Sequence, residues 1–279
     1  MKSGKGIPNT VCYTVCRKNL RKSFGREIIS RYISIMKKTK FLLPIALVFC
    51  LCDAVCAQQI VEWNDLLTET NDARGTVYYR KSDREQLHGD FRIKRGLDEE
   101  SIVFSCGVMD GEYRRYRDGI LRESGVYIDG KRDGVFREYY QDGKTIQKET
   151  PMCEGKIEGV VKTYFRDGKP ETEKEYHRSV EHGYSKRFDH ETGETVLESH
   201  YVDGQKQGEE IIIENYGQNM RSKTVRHYKN GKLDGPYRLE SSRDGKPYIT
   251  ETGAYAAGKK CGHWTQYDAT TGMTREWEE

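Results

Sequence analysis

Two glycines set four residues apart recur through the last two thirds of this 279-residue chain, and they restrict its fold more than any other feature. The pairs are Gly130/Gly134, Gly155/Gly159, Gly204/Gly208, Gly231/Gly235 and Gly258/Gly262; one further copy keeps Gly183 but carries Ser179 in the first place. The second glycines fall at Gly89, Gly111, Gly134, Gly159, Gly183, Gly208, Gly235 and Gly262, at intervals of 22 to 27 residues. A period of this size is the mark of a stacked array, in which each unit buries its apolar side only against its neighbours. Glycine at both places reads as backbone conformations that a Cβ would forbid.

Each second glycine is followed within about ten residues by another turn glycine, preceded by aspartate in Asp118-Gly119, Asp142-Gly143, Asp167-Gly168 and Asp244-Gly245. Asp-Gly between alternating apolar and polar residues is a hairpin signal, because a type I′ turn needs positive φ at both central positions. Two turns per unit leave room for two short strands. The expectation is an all-β chain, an elongated antiparallel meander of about eight stacked β-hairpins over residues 76–279.

Rings recur at fixed places in the unit. Two residues after the second glycine stand Phe91, Tyr113, Phe136, Val161, Ser185, Glu210, Tyr237 and Trp264. Five residues after it stand Tyr116, Tyr139, Tyr164, Phe188, Ile213 and Tyr267, with Glu240 breaking the run. Places of opposite parity face opposite sides of a regular strand, so either the strand carries a bulge or both faces of the sheet hold aromatics. Only 35% of residues are hydrophobic, 33% are charged and 19 are tyrosine. That is too little aliphatic mass for a thick core of this length, and it suits a thin sheet of rings with wet hydroxyls.

The flanks differ from the array. Trp63, Leu66 and Leu67 have helical spacing, which predicts a short helix or a capping segment over 58–75. Met273–Glu279 reads as a last edge strand whose charges discourage edge-to-edge aggregation. Met36 opens a basic stretch with Lys37, Lys38 and Lys40, then an apolar run over 41–51, then Val55 and Ala57 before Gln58. This is the layout of a secretory signal peptide (36–57) cleaved after Ala57, and the run is too short to span a bilayer. Residues 1–35 read as an extension upstream of the true start. Lipidation at Cys50 or Cys56 is the alternative outcome, although Phe49 and Val55 stand where a small residue is needed.

The leader also accounts for the basic balance. Residues 1–57 hold 11 Lys and Arg against 2 Asp and Glu, which leaves 36 basic against 42 acidic residues in the remainder. A mildly acidic domain lacks the positive footprint that nucleic acid or an anionic membrane surface requires. Cys106, Cys153 and Cys261 lie far apart in the array, and an odd number cannot all pair internally.

The segments Tyr127–Lys144 (YIDGKRDGVFREYYQDGK), Tyr201–Glu210 (YVDGQKQGEE) and Tyr228–Glu240 (YKNGKLDGPYRLE) resemble the MORN repeat, in its bacterial variant form. Proteins made almost wholly of such repeats are identified as YwqK-family antitoxins, and residues 60–279 are similar to them. The resemblance implies a hairpin array that binds a protein partner, and the antitoxin label implies that the partner is a toxin.

Chemistry is hard to find. The sequence contains no Gly-x-Gly-x-x-Gly before a helix, no Walker loop and no Gly-x-Ser-x-Gly elbow. His177, His182 and His190 cluster without the spacing of a familiar metal site. Glu171, Glu173 and Glu175 alternate along one strand face, as a solvated face does. Lys144, Lys156, Lys169, Lys232, Lys246 and Lys259 follow turn glycines, which favours solubility. The expectation is a non-catalytic, exported binding module with no cofactor and no metal. Its candidate contact face is Tyr127, Tyr139, Tyr176, Tyr201, Tyr228 and Trp264, since Tyr and Trp make good anchors. A toxin-neutralising antitoxin and a carbohydrate binder of the envelope surface are the alternatives.

Overall fold

The computed structural model describes residues 58–71, 75–217 and 219–279. The expected export signal and the segment before it lie outside the described residues.

The described chain is almost entirely β. It opens with β1 (Gln59–Glu62), a single 3-10 turn (Trp63–Asp65), β2 (Leu66–Asn71) and β3 (Gly75–Arg80). The helical spacing of Trp63, Leu66 and Leu67 is therefore misleading. Leu66 enters the core from a strand, and the Thr68-Glu69-Thr70 run pairs with Val77 and its neighbours in a two-stranded sheet of β2 and β3. The threonines that follow the leucines favour a pleated strand over a helix.

The array follows as β4 (Gly89–Arg95), β5 (Asp98–Ser105), β6 (Val108–Arg117), β7 (Ile120–Ile128), β8 (Lys131–Tyr139) and β9 (Ile146–Cys153). Next come β10 (Lys156–Ile157), β11 (Gly159–Tyr164), β12 (Pro170–His177), β13 (Val180–Phe188) and β14 (Thr195–Val202). The chain closes with β15 (Gln205–Lys206), β16 (Gly208–Tyr216), β17 (Met220–Lys229), β18 (Lys232–Arg243), β19 (Lys246–Ala256), β20 (Lys259–Asp268) and β21 (Met273–Glu278). From β4 onward consecutive strands pair antiparallel, except β10 with β11 and β15 with β16, and β1 lies beside β4. β10 with β11, and β15 with β16, are single strands interrupted at Glu158 and Gln207, just before the second glycine; both parts pair with the same partner.

The first glycine of each pair completes a two-residue hairpin turn. Asp129-Gly130 has φ of 47° and 75°, Asp203-Gly204 50° and 77°, and Asn230-Gly231 51° and 77°. Both central residues are left-handed, as a type I′ turn requires. The same geometry holds at Arg178-Ser179, where φ is 50° and 69° with no glycine present. At the other edge of the sheet, among the described residues, only Asp118-Gly119 and Asp244-Gly245 are two-residue turns with both φ positive. The Asp142-Gly143 and Asp167-Gly168 hairpins use longer loops. There only the glycine is left-handed, and the aspartate carboxylate accepts backbone N–H groups from Lys144 and Thr145, or from Lys169.

The second glycine serves a different purpose. Ser124 pairs with Arg137 and Val126 with Asp133, so three residues around Val135 oppose one residue of β7. Gly134 sits in this bulge with φ of 84°. Similar register shifts precede Phe104, Tyr176, Tyr228 and Ala254 on the partner strands. A bulge of this kind needs a residue that tolerates positive φ.

A second register shift precedes Tyr116, Tyr139, Tyr164 and Phe188, but its extra residue lies on the partner strand, so the ring-bearing strand keeps its alternation and aromatics stand on both faces. Phe91, Phe136 and Trp264 are buried, whereas Tyr139, Tyr164 and Tyr267 lie on the opposite face, partly wet. The buried side is here termed the core face. Near the start of the array it gathers Leu66, Leu87, Phe91, Ile93, Ile102, Phe104, Tyr113 and Phe136 into one cluster. Near the end it stacks Tyr237, Tyr255, Trp264 and Trp277 at ring separations of 5.4–6.1 Å. Such contacts add ~0.5–1.5 kcal/mol each beyond area burial.

Two glycines make room for these rings. A Cβ on Gly253 would stand 2.2 Å from the Trp264 ring, and one on Gly125 would stand 2.5 Å from the Phe136 ring. Gly253→Ala and Gly125→Ala are each expected to lower the urea midpoint by the equivalent of about 1–3 kcal/mol, the cost of overpacking a filled core. Ala257, held at a φ of 49° in a two-residue turn, gives the opposite sign: Ala257→Gly is expected to stabilise by about 0.5–1 kcal/mol, since left-handed backbone costs alanine more than it costs glycine.

Candidate functional site

The core face changes character along the array. Its column two residues past each second glycine runs Phe91, Tyr113, Phe136, then Val161, Ser185 and Glu210, then Tyr237 and Trp264. Aromatic ends thus flank a polar middle, where Ser185, Ser199, Glu210 and Ser222 are all buried.

The tyrosines expected to form a contact face distribute accordingly. Tyr127, Tyr176, Tyr201 and Tyr228 are half-buried on the core face, beside the hairpin turns. Tyr139 is half-buried on the opposite face, where its hydroxyl meets Ser124 Oγ at 3.0 Å. Trp264 has no exposed surface at all and is a core residue. The six therefore do not form one surface, and Trp264 is excluded as an anchor because its ring fills the space above Gly253. The expected turn glycines Gly111, Gly130, Gly134, Gly155, Gly159, Gly183, Gly204, Gly208, Gly231, Gly235, Gly258 and Gly262 all have positive φ.

Buried charge in the polar middle is compensated locally. Glu210 is 1% exposed. Lys206 Nζ and Ser199 Oγ donate to one carboxylate oxygen, and Arg226 Nε donates to the other. Burial pushes the Glu210 carboxyl up, but these three donors outweigh it and hold it below the ordinary glutamate value. Glu123 is ion-paired with Arg132 at 2.8 Å and with Arg115 at 3.4 Å.

Near the start of the array the core face opens into a cavity of about 300 Å³. Trp63, Tyr78, Tyr113 and Tyr127 supply ring walls, Ile93 and Met109 supply apolar surface, and Arg95, Asp98, Glu100 and Arg115 supply charge. Arg95 lies over the Trp63 ring, 3.9 Å from its centroid. Burial raises the Glu100 carboxyl above its ordinary value, against the lowering effects of the Tyr113 hydroxyl and of Arg115 and Arg95. Burial and the nearby Glu100 charge also push the Tyr113 phenol up.

The opposite face carries its own feature in the polar middle. Val180, Tyr184 and Val202 are exposed there, Tyr184 by 56%. Tyr184 pairs across strands with His200, their rings 5.3 Å apart, and the rings of His177 and His182 lie 6.3 Å from each other. His177 Nδ1 contacts Glu158 at 2.8 Å, and His190 Nε2 contacts Asp167 at 3.0 Å. His190 packs on Phe165, one edge further along. Among the described residues, no group of three or more His, Cys, Asp or Glu is arranged to hold a metal ion. Glu173 is paired with Lys162 at 3.0 Å, and Glu171 accepts from Thr163, so these carboxylates are engaged with strand neighbours.

Sequence reasoning missed the Glu210 cluster and the apolar patch of the middle repeats. A signal for both was present: glutamate and serine occupy the ring column in the very units that place Val180, Tyr184 and Val202 at the alternate parity. No family model matches this chain, and none of the curated proteins matches it.

Removing the Glu210 carboxylate would leave Lys206 and Arg226 facing each other over buried serines. Glu210→Ala is expected to cost about 2–3 kcal/mol, below the usual cost of breaking a buried pair because both cations are partly wet. The pH dependence has a defined sign. A folded-state value below the unfolded one adds stability that is fully present above the ordinary glutamate range and is lost as pH falls through the lower folded value. Urea titrations from pH 7 down to pH 3 are expected to show this loss in the wild type and a flatter profile in Glu210→Ala.

Proposed function

We propose that this chain is an exported MORN-variant repeat protein that acts without catalysis as a protein-interaction module of the cell envelope. The observation that carries the reading is the patch of Val180, Tyr184 and Val202 on the face opposite the core. Apolar side chains exposed on neighbouring strands of one sheet favour a protein contact, with tyrosine as the anchor. The neighbouring histidines and their carboxylates supply a polar rim of the kind such contacts use. Export follows from the signal layout of residues 36–57. The engaged carboxylates of the middle repeats favour binding over acid–base chemistry.

A photo-crosslinking side chain placed at position 184 or 202 in the full chain tests this in the producing cell. A discrete crosslinked protein adduct is expected from both positions, and a second substitution, Val180→Glu, is expected to reduce its yield at least about fivefold. A probe at exposed Leu97, remote in sequence from the patch, is expected to give no such adduct. Equal adducts from position 97, or none from 184 and 202, would remove the patch as the contact.

A further inference from the structure

The repeats supply an internal template for what belongs in the cavity at the start of the array. In the unit around Gly130, Glu123 stands four residues before the turn tyrosine Tyr127, and Arg132 stands two residues after the turn glycine. Arg132 pairs with Glu123 at 2.8 Å and lies over the Phe136 ring, 4.5 Å from its centroid. The unit around Gly258 repeats this arrangement with Glu251, Lys260 and Trp264. Lys260 Nζ is 3.6 Å from the Glu251 carboxylate and 3.9 Å from the Trp264 ring centroid. The unit around Gly107 has the carboxylate, Glu100, and the ring, Tyr113, in the equivalent places. Where the cation belongs it has Met109.

Glu100 is consequently the odd carboxylate of the core face. Among the described residues, Glu123, Glu181, Glu210 and Glu251 each have a Lys or Arg nitrogen within ion-pair distance. Glu100 has only the Tyr113 hydroxyl, at 3.4 Å. Two arginines line the same cavity but are turned to other partners: Arg115 to Glu123 at 3.4 Å, and Arg95 flat on Trp63. A half-buried carboxylate beneath tyrosine rings, with no cation of its own, is a receptor for one.

We propose that this cavity binds an alkylammonium group, seated between the Glu100 carboxylate and the Tyr113 ring in the place that Arg132 and Lys260 fill in their own units. The group comes either from a free amine or from a lysine side chain of another protein. The chemistry is the same for both, and it does not depend on the patch at Tyr184. Met109 and Ile93 line the path of the alkyl stem. The groups facing Glu100 are Tyr113, Tyr78, Tyr127, Arg115, Arg95, Asp98 and Glu123. Because burial raises the Glu100 carboxyl, affinity is expected to fall as pH drops through that raised value, when the carboxyl protonates and loses its charge.

Calorimetric titration of the full chain with n-butylammonium, with Nα-acetyl-lysine methylamide and with n-butanol tests this. Saturable binding of butylammonium is expected, with none for butanol, which has the same stem and no charge. Binding of the capped lysine as well assigns the site to a side chain, and its failure assigns the site to free amines. Glu100→Gln is expected to weaken butylammonium at least about tenfold, the scale of a lost charge pair in a partly desolvated site. Met109→Lys supplies the missing cation from within. It is expected to abolish amine binding and to raise Tm by about 2–4 °C, the shift that one added buried pair gives a chain of this size. Circular dichroism checks that both variants keep the sheet. The proposal is overturned by butanol binding as tightly as the amine, by undiminished amine binding in a folded Glu100→Gln or Met109→Lys, or by no amine binding in the wild type.

Discussion

One backbone hydrogen bond repeats along the edge of the sheet and sets the period of everything else. The N–H of the second residue in each two-residue turn along this edge donates to a carbonyl of the preceding unit. The bonds run from Gly107 to Leu87, Gly130 to Met109, Gly155 to Arg132, Ser179 to Ile157, Gly204 to Glu181, Gly231 to Lys206 and Gly258 to Leu233, all at 2.7–2.9 Å. Every acceptor lies two residues before a second glycine. The N–H of the first turn residue often finds a side chain from the next position: Asp133 for Glu154, Glu158 for Arg178, Gln207 for Asn230, Asp234 for Ala257. These bonds explain the four-residue spacing. One glycine completes the turn, one strand residue follows, the next offers its carbonyl, the next offers its side chain, and the second glycine then bends the strand out of the way. The amides of these turns thus find acceptors in the unit before them.

Because the ladder is made of backbone, it leaves the ring column free to vary. The ends of the array use that freedom for aromatic packing, and the middle uses it for charge. Glu210 survives in a column of rings because Lys206 and Arg226 reach it from either side of a bulge. Ser179 survives without glycine because its hydroxyl accepts from Ile157 N–H at 2.9 Å, while Glu158 accepts from Arg178 N–H. In both cases local bonds offset a cost that the general pattern avoids, strain at Ser179 and desolvation at Glu210.

What the sequence made legible follows from this division. The glycine pairs, the hairpins and the all-β class were readable, because backbone conformation restricts residue type directly. Turn type was readable only in part. Asp142-Gly143 and Asp118-Gly119 look alike in sequence, yet the first belongs to a longer loop, since loop length depends on where the flanking strands stop pairing. The fate of Trp264 was not readable, because it turns on Gly253 leaving a hollow on the adjacent strand. The partners of Glu210 and the vacancy beside Glu100 were hidden for a related reason. Residues 4 and 16 positions away in sequence become neighbours only once the bulge sets the register.

The inversion of the middle repeats follows from the same physics. A hairpin held by its edge bonds can place apolar side chains on either face, because the pleat presents both equally. At the ends of the array the core face is the apolar one, and the opposite face carries tyrosine tied to serine, as Tyr139 is to Ser124. In the middle the serines and Glu210 lie inward and Val180, Tyr184 and Val202 lie outward. Burying those three on their own sheet would require their parity to change, and one residue of slip would move every side chain of the strand to the other face. The ladder forbids that slip, since it would displace the carbonyl that the next turn needs. The outward apolar patch is thus fixed by the backbone register, and its cost in exposed surface is recovered only when something else covers it.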